Sequence, residues 1–395
     1  MTDAADKPAS LSGNWNYPTS VRFGVGRIGE LPKCCQSLGM KRPLLVTDPG
    51  LAEMAMVADA VAANGEAGLT TAVFSDIKSN PVGQNISDGL RAFHEGGHDG
   101  VIAFGGGSAM DAGKTIGFMA GQKRPLWDFE DIGDNWKLAA TDAIAPIIAV
   151  PTTSGTGSEV GRATVVIDEA AETKKILFHP RMLPELVICD PALVAGLPAG
   201  LTAATGMDAL AHCLEAFSVD AYHPMADGIA LEGMRLVRNW LPVAFKDGAN
   251  LEARAHMMAA AAMGATAFQK GLGAIHSLSH PVGAVFDTHH GLTNAVFMPY
   301  VLAFNRPAIE DKMERLARFI GLKKPSFQAV LEWTLELRDT FDIPPTAAEL
   351  GVAEDRLEDI AKMAAKDPTA PTNPIEAGVK EMREILDAAM EGRVG

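Results

Sequence analysis

Short apolar runs alternate with helical stretches through the first half of the chain. Ser20–Gly24 (SVRFG), Pro43–Asp48 (PLLVTD), Thr71–Ser75 (TAVFS), Gly100–Phe104 (GVIAF) and Ala145–Val150 (APIIAV) are β-rich runs of core-strand length. Between them, Leu51–Ala63 and Ile86–His94 read as helices. This rhythm predicts a parallel sheet covered by helices on both faces. Past Asp190-Pro191 the strand signals fade. Stretches rich in Ala, Leu, Met and Glu take over, and Ala226–Asn239, Leu251–Phe268 and Glu376–Met390 carry helical periodicity. The expected fold is an α/β domain with a parallel sheet over residues 17–190, then an all-α helical domain over 191–395. Residues 1–16 read as a loose polar tail, and Asp367–Pro374 as a loop before the last helix. No solenoid-like repeat interrupts this division.

Composition narrows the class. A chain of 395 residues, 47% hydrophobic and 21% charged, can bury two cores and is not of disordered type. Its net charge of -15 argues against nucleic acid and anionic membranes as partners. No apolar run is long enough to span a bilayer, and the first residues lack the basic start and apolar run of a signal peptide. Four cysteines, Cys34, Cys35, Cys189 and Cys213, form no CxxC pair and no disulfide framework. A reducing cytoplasm is the expected compartment, and Cys213 reads as a buried structural thiol.

Two loops add chemistry. The run GVIAF leads straight into Gly105-Gly106-Gly107-Ser108 and then a helix, Ala109–Gly117. Glycines allow close backbone approach, and free amides at a helix start attract phosphate. The spacing is not GxGxxG, and alone it could be no more than a tight turn. A second loop, Pro151–Glu159 (PTTSGTGSE), follows APIIAV and offers many hydroxyl and amide donors at another strand end. Two such loops point to a phosphate-bearing cofactor. Asp48, at the end of PLLVTD, could accept from ribose hydroxyls and would repel a 2′-phosphate, so NAD is favoured over NADP. It could equally be a turn aspartate before Pro49-Gly50.

In GMDALAH, Asp208 and His212 stand four apart and share one helical face. His276 and His280 repeat that spacing in GAIHSLSH, and His289-His290 follow. An aspartate and four or five histidines suit a borderline divalent metal. If positions on the ion stay open, such a site is catalytic rather than structural.

At these motifs the sequence resembles the iron-containing (group III) alcohol dehydrogenases over nearly the whole chain. The resemblance runs from Phe23-Gly24 through VTD, GGGSxxD at Gly105–Asp111, PTTSGTGSE, GMDALAH, HxxxHPxG and His290-Gly291. It implies an N-terminal dinucleotide-binding α/β domain, a helical metal domain and an active site in the cleft. It also implies Asp208, His212, His276 and His290 as ligands of Fe²⁺, with Zn²⁺ or another divalent ion as substitute. His280 matches a histidine beside the metal and becomes a candidate proton relay, whereas His289 matches no role. Asp48, Gly106, Gly107, Ser108, Asp111, Thr152, Thr153 and Thr156 match dinucleotide contacts, as do Asn80, Lys175 and the segment from Leu193 to Leu197. The implied reaction is metal-assisted hydride transfer between a small primary alcohol and NAD, giving the aldehyde. Family members are usually dimers or larger, so a homo-oligomer is expected.

One departure bears on substrate. Where many members carry a small polar pair after a phenylalanine, this chain has Phe268-Gln269-Lys270 before Gly271. Lys270 is either a cation that favours an alcohol bearing an acid group or an exposed lysine at a helix end. Rival activities on the scaffold are glycerol dehydrogenase and maleylacetate reductase, which the complete Asp-His-His-His set disfavours. A hydroxyacid–oxoacid transhydrogenase remains open, as does a lyase related to dehydroquinate synthase. The lyase needs a basic phosphate cluster that the helical half does not display. A non-enzymatic metal-binding protein leaves the two loops unexplained.

Overall fold

The computed structural model describes residues 13–15, 19–171 and 173–394. Of the segment expected to be a loose tail, only Gly13–Trp15 falls within these residues, and it is a strand, β1. The others in sequence order are β2 (Ser20–Phe23), β3 (Pro43–Val46), β4 (Ala72–Phe74), β5 (Gly100–Gly105), β6 (Ile147–Pro151), β7 (Ala163–Asp168), β8 (Thr173–Phe178) and β9 (Leu186–Cys189). Seven form one sheet in the order β1-β2-β9-β6-β5-β3-β4. Six run parallel from β2 to β4, and β1 is antiparallel on the edge. β7 and β8 form a separate antiparallel hairpin.

The five expected strands are present, but β1, β7, β8 and β9 are additional. β9 is a short apolar run just before the Asp190-Pro191 boundary. β7 alternates buried and half-buried positions, the pattern of a strand with one face covered. The helices on this sheet are α1 (Leu31–Ser37), α2 (Pro49–Ala52), α3 (Ala55–Glu66), α4 (Gly83–Glu95) and α5 (Gly107–Met119). The helix expected over Leu51–Ala63 is thus two, because Met54 is extended and breaks it.

Beyond the last strand the chain is helical: α6 (Ala199–Ser218), α7 (Pro224–Lys246), α8 (Leu251–Ala267), α9 (Ala274–Phe286), α10 (His290–Phe319), α11 (Phe327–Thr340), α12 (Leu357–Ala364) and α13 (Val379–Glu391). α6 is buried over nearly its whole length, so it is the central helix of this half. No helix among the described residues is long and apolar enough to cross a membrane.

Register sets the cleft. Gly105 pairs with Pro151, so β5 and β6 end side by side and release both loops at one level. Val46 pairs with Ala103, which brings Asp48 level with Gly105. The chain goes from β3 outward to β4, then returns to β5 on the other side of β3. Loops diverge at such a switch point and leave a crevice at the strand ends.

A buried polar knot stiffens the crevice floor. Lys114 of α5 is fully buried, and its Nζ donates to Ser158 O at 2.9 Å, Ser158 Oγ at 3.0 Å and Ala163 O at 2.8 Å. Burial pulls its pKa from 10.5 down to about 8. Lys114→Met leaves these acceptors and the nearby Asp111 and Glu159 carboxylates without their cation, and should cost about 3 kcal/mol in urea unfolding. The depressed value means the unfolded chain holds the extra proton. Wild-type stability relative to the Met variant therefore rises as pH climbs from about 8 to 10.5. Equal midpoints would contradict this role.

Candidate active site

The crevice side of the site is built from short side chains and close backbones. Gly105 has φ 149°, open to glycine, and a Cβ there would meet Ala109 Cβ at 2.7 Å. A side chain on Gly106 would meet Thr153, and one on Gly107 would meet Thr156. The threonine loop thus lies directly over the start of α5, whose first amides face it. Ser108 donates from Oγ to Ser79 O rather than capping α5. Thr152 is buried, with its amide bonded to Gly105 O at 2.9 Å. Asp48 serves as N-cap of α2, accepting from Leu51 N at 3.0 Å through Oδ1, while Oδ2 faces Gly105.

Other expected cofactor residues are engaged elsewhere. Asp111 accepts from Ser158 Oγ at 2.7 Å and Val165 N at 2.9 Å, so it ties α5 to the threonine loop and β7. Lys175 pairs with Asp168 at 2.9 Å and Glu130 at 3.2 Å. Its neighbour Lys174 points the other way, as alternation along a strand requires, and its Nζ lies 3.3 Å from where a side chain on Gly283 would begin. Leu193 is buried under the sheet with Phe104 and Ile188, and Leu197 contributes its carbonyl to Arg254 at 2.9 Å. Asn80 reaches across to the helical half, donating to Asp287 Oδ1 at 2.8 Å.

The metal side is more concentrated. Asp208, His212, His276 and His290 each offer one ligand atom, and these atoms all lie within 4.8 Å of one another. α6 carries the first two, α9 the third and the first turn of α10 the fourth. His289 faces outward and caps α10, with Nδ1 accepting from Leu292 N at 3.4 Å, which leaves His290 turned inward. His280 stacks on His290 with ring centroids 5.5 Å apart and does not join the four. Gly291 lets α10 approach α6 closely: a Cβ there would overlap Ala204 O and sit 3.0 Å from Asp208 Cβ.

Sequence reading missed four residues here. Glu215 Oε2 lies 2.5 Å from His276 Nδ1, and its Oε1 accepts from Ile275 N at 2.7 Å. It follows His212 on the same face of α6, so its spacing could have revealed it. Asn294, one turn after His290, brings Nδ2 to 2.8 Å from Asp208 Oδ1, 3.2 Å from His276 Nε2 and 3.1 Å from His290 Nε2. Asp367 Oδ2 lies 2.8 Å from His280 Nδ1, across 87 residues of sequence that carry no signal of the contact. Phe268 packs on His212, with centroids 5.1 Å apart. Lys270 is neither exposed nor free: its side chain is 1% exposed and pairs with Asp227 at 2.6 Å.

Electrostatics suit a cation. Burial holds His212 down at about 4. Burial, then the surrounding histidines, hold His290 well below its ordinary value. For His276, burial is outweighed by the charge and hydrogen bond of Glu215, and the net shift is upward. Three imidazoles and a carboxylate around one point are borderline-to-hard donors, the set for Fe²⁺ or Zn²⁺. One amide with two hydrogens faces three acceptors, and Asn294 Oδ1 is itself buried without a partner. Such an excess of acceptors fits a divalent ion.

The chain matches the family model described as iron-containing alcohol dehydrogenase over residues 18–191, and the C-terminal model of the Fe-containing alcohol dehydrogenase family over 202–390. It belongs to the iron-containing alcohol dehydrogenase family of oxidoreductases. It is 41% identical to 4-hydroxybutyrate dehydrogenase of Cupriavidus necator, over 95% of this chain and 99% of that protein. It is 33% identical to NAD-dependent methanol dehydrogenase of Bacillus methanolicus, over 95% of this chain and 100% of that protein. Among solved structures it superimposes on a 1,3-propanediol oxidoreductase with TM-score 0.89 and 35% identity, covering 94% and 97% of the two chains. It also superimposes on sulfoacetaldehyde reductase from Bifidobacterium kashiwanohense in complex with NAD+, with TM-score 0.86 and 26% identity, covering 96% and 98%.

Gly291→Ala tests the close approach. The methyl group strikes the backbone of α6 beside Asp208, so α10 must shift and carry His290 with it. The expected result is a protein that folds but binds at least tenfold less metal at limiting ion, measured by elemental analysis. Undiminished loading would show that the helices tolerate the added carbon.

Proposed function

We propose that this protein is an NAD-dependent, divalent-metal-dependent alcohol dehydrogenase that interconverts a primary alcohol and its aldehyde. The observation that carries the reading is the meeting of four ligand atoms, from Asp208, His212, His276 and His290, beside a crevice floored by two donor-rich loops. Asp208, His212, His276 and His290 would hold Fe²⁺ or Zn²⁺, which when bound would supply Lewis acidity toward the alcohol hydroxyl, and NAD would supply the hydride acceptor. Gly106, Gly107, Ser108, Thr152, Thr153 and Thr156 would cradle the dinucleotide phosphates with amides and hydroxyls. Asp48 would accept from a ribose hydroxyl through Oδ2 and disfavour a 2′-phosphate. Asn80 would approach the dinucleotide from the side of Asp287, and Lys174 would take the part expected of Lys175, which pairs with Asp168 and Glu130. Asp111 and Leu193 act as framework.

His280 is the proposed proton carrier. Asp367 holds its Nδ1, so Nε2 is the ring atom left to take the hydroxyl proton toward solvent. Phe268, packed on the His212 ring, would shield that side of the site from water.

A second reading concerns substrate. Likeness to a 4-hydroxybutyrate dehydrogenase favours an alcohol bearing an acid group. Lys270 is a poor partner for that acid, since Asp227 already neutralises it away from solvent. The soluble assembly is proposed as a cytoplasmic homo-oligomer, and neither nucleic acid nor membrane is proposed as a partner.

The test is NAD reduction with methanol, 1,3-propanediol, 1-butanol and 4-hydroxybutyrate, after reconstitution with Fe²⁺ or Zn²⁺. Turnover should vanish on chelation and return with metal. His276→Ala should lose metal and fall at least 1,000-fold in kcat/KM, about 4 kcal/mol of transition-state stabilisation. Full activity in a metal-free variant would refute the proposal. Activity seen only with 2-oxoglutarate and no free NAD would move it to transhydrogenation.

A further inference from the structure

Glu215 is a buried acid that the proposed chemistry does not use. It stands on α6, the helix that also carries Asp208 and His212. Its two oxygens make different contacts. Oε1 takes the amide of Ile275 at 2.7 Å, in the first turn of α9, where backbone donors lack partners within the helix. Oε2 lies 2.5 Å from Nδ1 of His276, the next residue. One carboxylate therefore grips both the backbone and the ring of α9 at the ligand.

The contact also settles which ring nitrogen carries the proton. A carboxylate only accepts, so Nδ1 is the N–H and Nε2 holds the lone pair. Asn294 gives an independent indication from the opposite side, because its Nδ2 faces His276 Nε2 at 3.2 Å and a donor there needs an acceptor. The same amide faces the lone pairs of Asp208 and His290, so His276 Nε2 points to their common centre.

We propose that Glu215 is a positioning residue of the metal site, acting through His276. It fixes the tautomer and direction of that ring and places a second negative charge behind it. With Asp208, this gives two buried carboxylates within reach of a divalent ion, so the cation enters a low-dielectric pocket with its charge balanced. Locally, the inference rests on the reading of the four residues as metal ligands.

The experiment measures metal affinity by chelator competition with Zn²⁺, and the visible spectrum of the Co²⁺-loaded protein. The variants are Glu215→Gln, Glu215→Ala and, as reference, His276→Ala. Gln keeps size and an acceptor but removes the charge. It should weaken Zn²⁺ binding about tenfold and shift the Co²⁺ bands, with circular dichroism and the Tm of the metal-free protein near wild type. Ala frees the ring as well and should weaken binding about 100-fold. A merely structural glutamate would lower Tm without moving the affinity or spectrum of the folded Gln variant, and that result would overturn the proposal. Parental affinity in His276→Ala would instead sink the ligand assignment itself. Loss in His276→Ala with parental affinity in both Glu215 variants would sink the Glu215 proposal alone.

Discussion

The close approach of α10 to α6 at Gly291 is the constraint on which the site depends. Side chains from two helices meet at one point only if the backbones come near enough, and metal–ligand bonds are short. A residue with a Cβ at Gly291 would stand in the backbone of α6 at Ala204, next to Asp208. The same logic recurs behind His212, where a Cβ on Gly264 of α8 would lie 3.0 Å from the Cβ of that histidine. α6 is thus clasped on two sides by helices whose glycines sit opposite its ligands. Its own residues are buried almost throughout, so it has little freedom to relax if either neighbour moves.

The two halves are linked by contacts at the site. The threonine loop rests against α6 at Gly155. A Cβ on that glycine would lie 2.8 Å from Thr205 Cβ on α6, which shows how tightly the loop rests on the metal helix. Across the cleft, Asn80 bonds Asp287, a non-glycine residue with φ 52° just before the segment that presents His290. Lys174 reaches toward Gly283 from the hairpin. Asn80, expected to contact the dinucleotide, thus bonds the short α9–α10 connection that leads into the fourth ligand.

Much of this was legible in the sequence because it is local. Asp208 and His212 announce themselves by helical spacing, and the loops by glycines and threonines after apolar runs. What was not legible depends on orientation or on long-range contact. Between His289 and His290 the pattern offers no preference; the α10 cap decides, because the His289 ring accepts from the Leu292 amide in the first turn of the helix. Where Lys175 points was not legible either: it turns to Asp168 and Glu130 while its neighbour Lys174 turns toward Gly283, since adjacent strand residues face opposite ways. Asp367 could not be found at all before the chain was folded, and Lys270 looked like a surface residue until Asp227 came beside it.

The buried charges share one design. Lys114 satisfies three acceptors, Asp111 two donors and Glu215 two, and each joins elements distant in sequence. Apolar residues of similar size could fill those positions at no loss of packing, and buried ionic groups often add little net stability. Directional bonds do what packing cannot: they fix the direction of a loop or ring. The cost of burial shows in Lys114, pulled to about 8, and Glu159, pushed to about 7. Those costs fall at the threonine loop and the helix it rests on, where an ångström of play would matter to hydride transfer. The hydrophobic cluster of the helical half is mostly Ala, Leu, Met, Val and Ile with several aromatic rings, where packing alone sets the geometry.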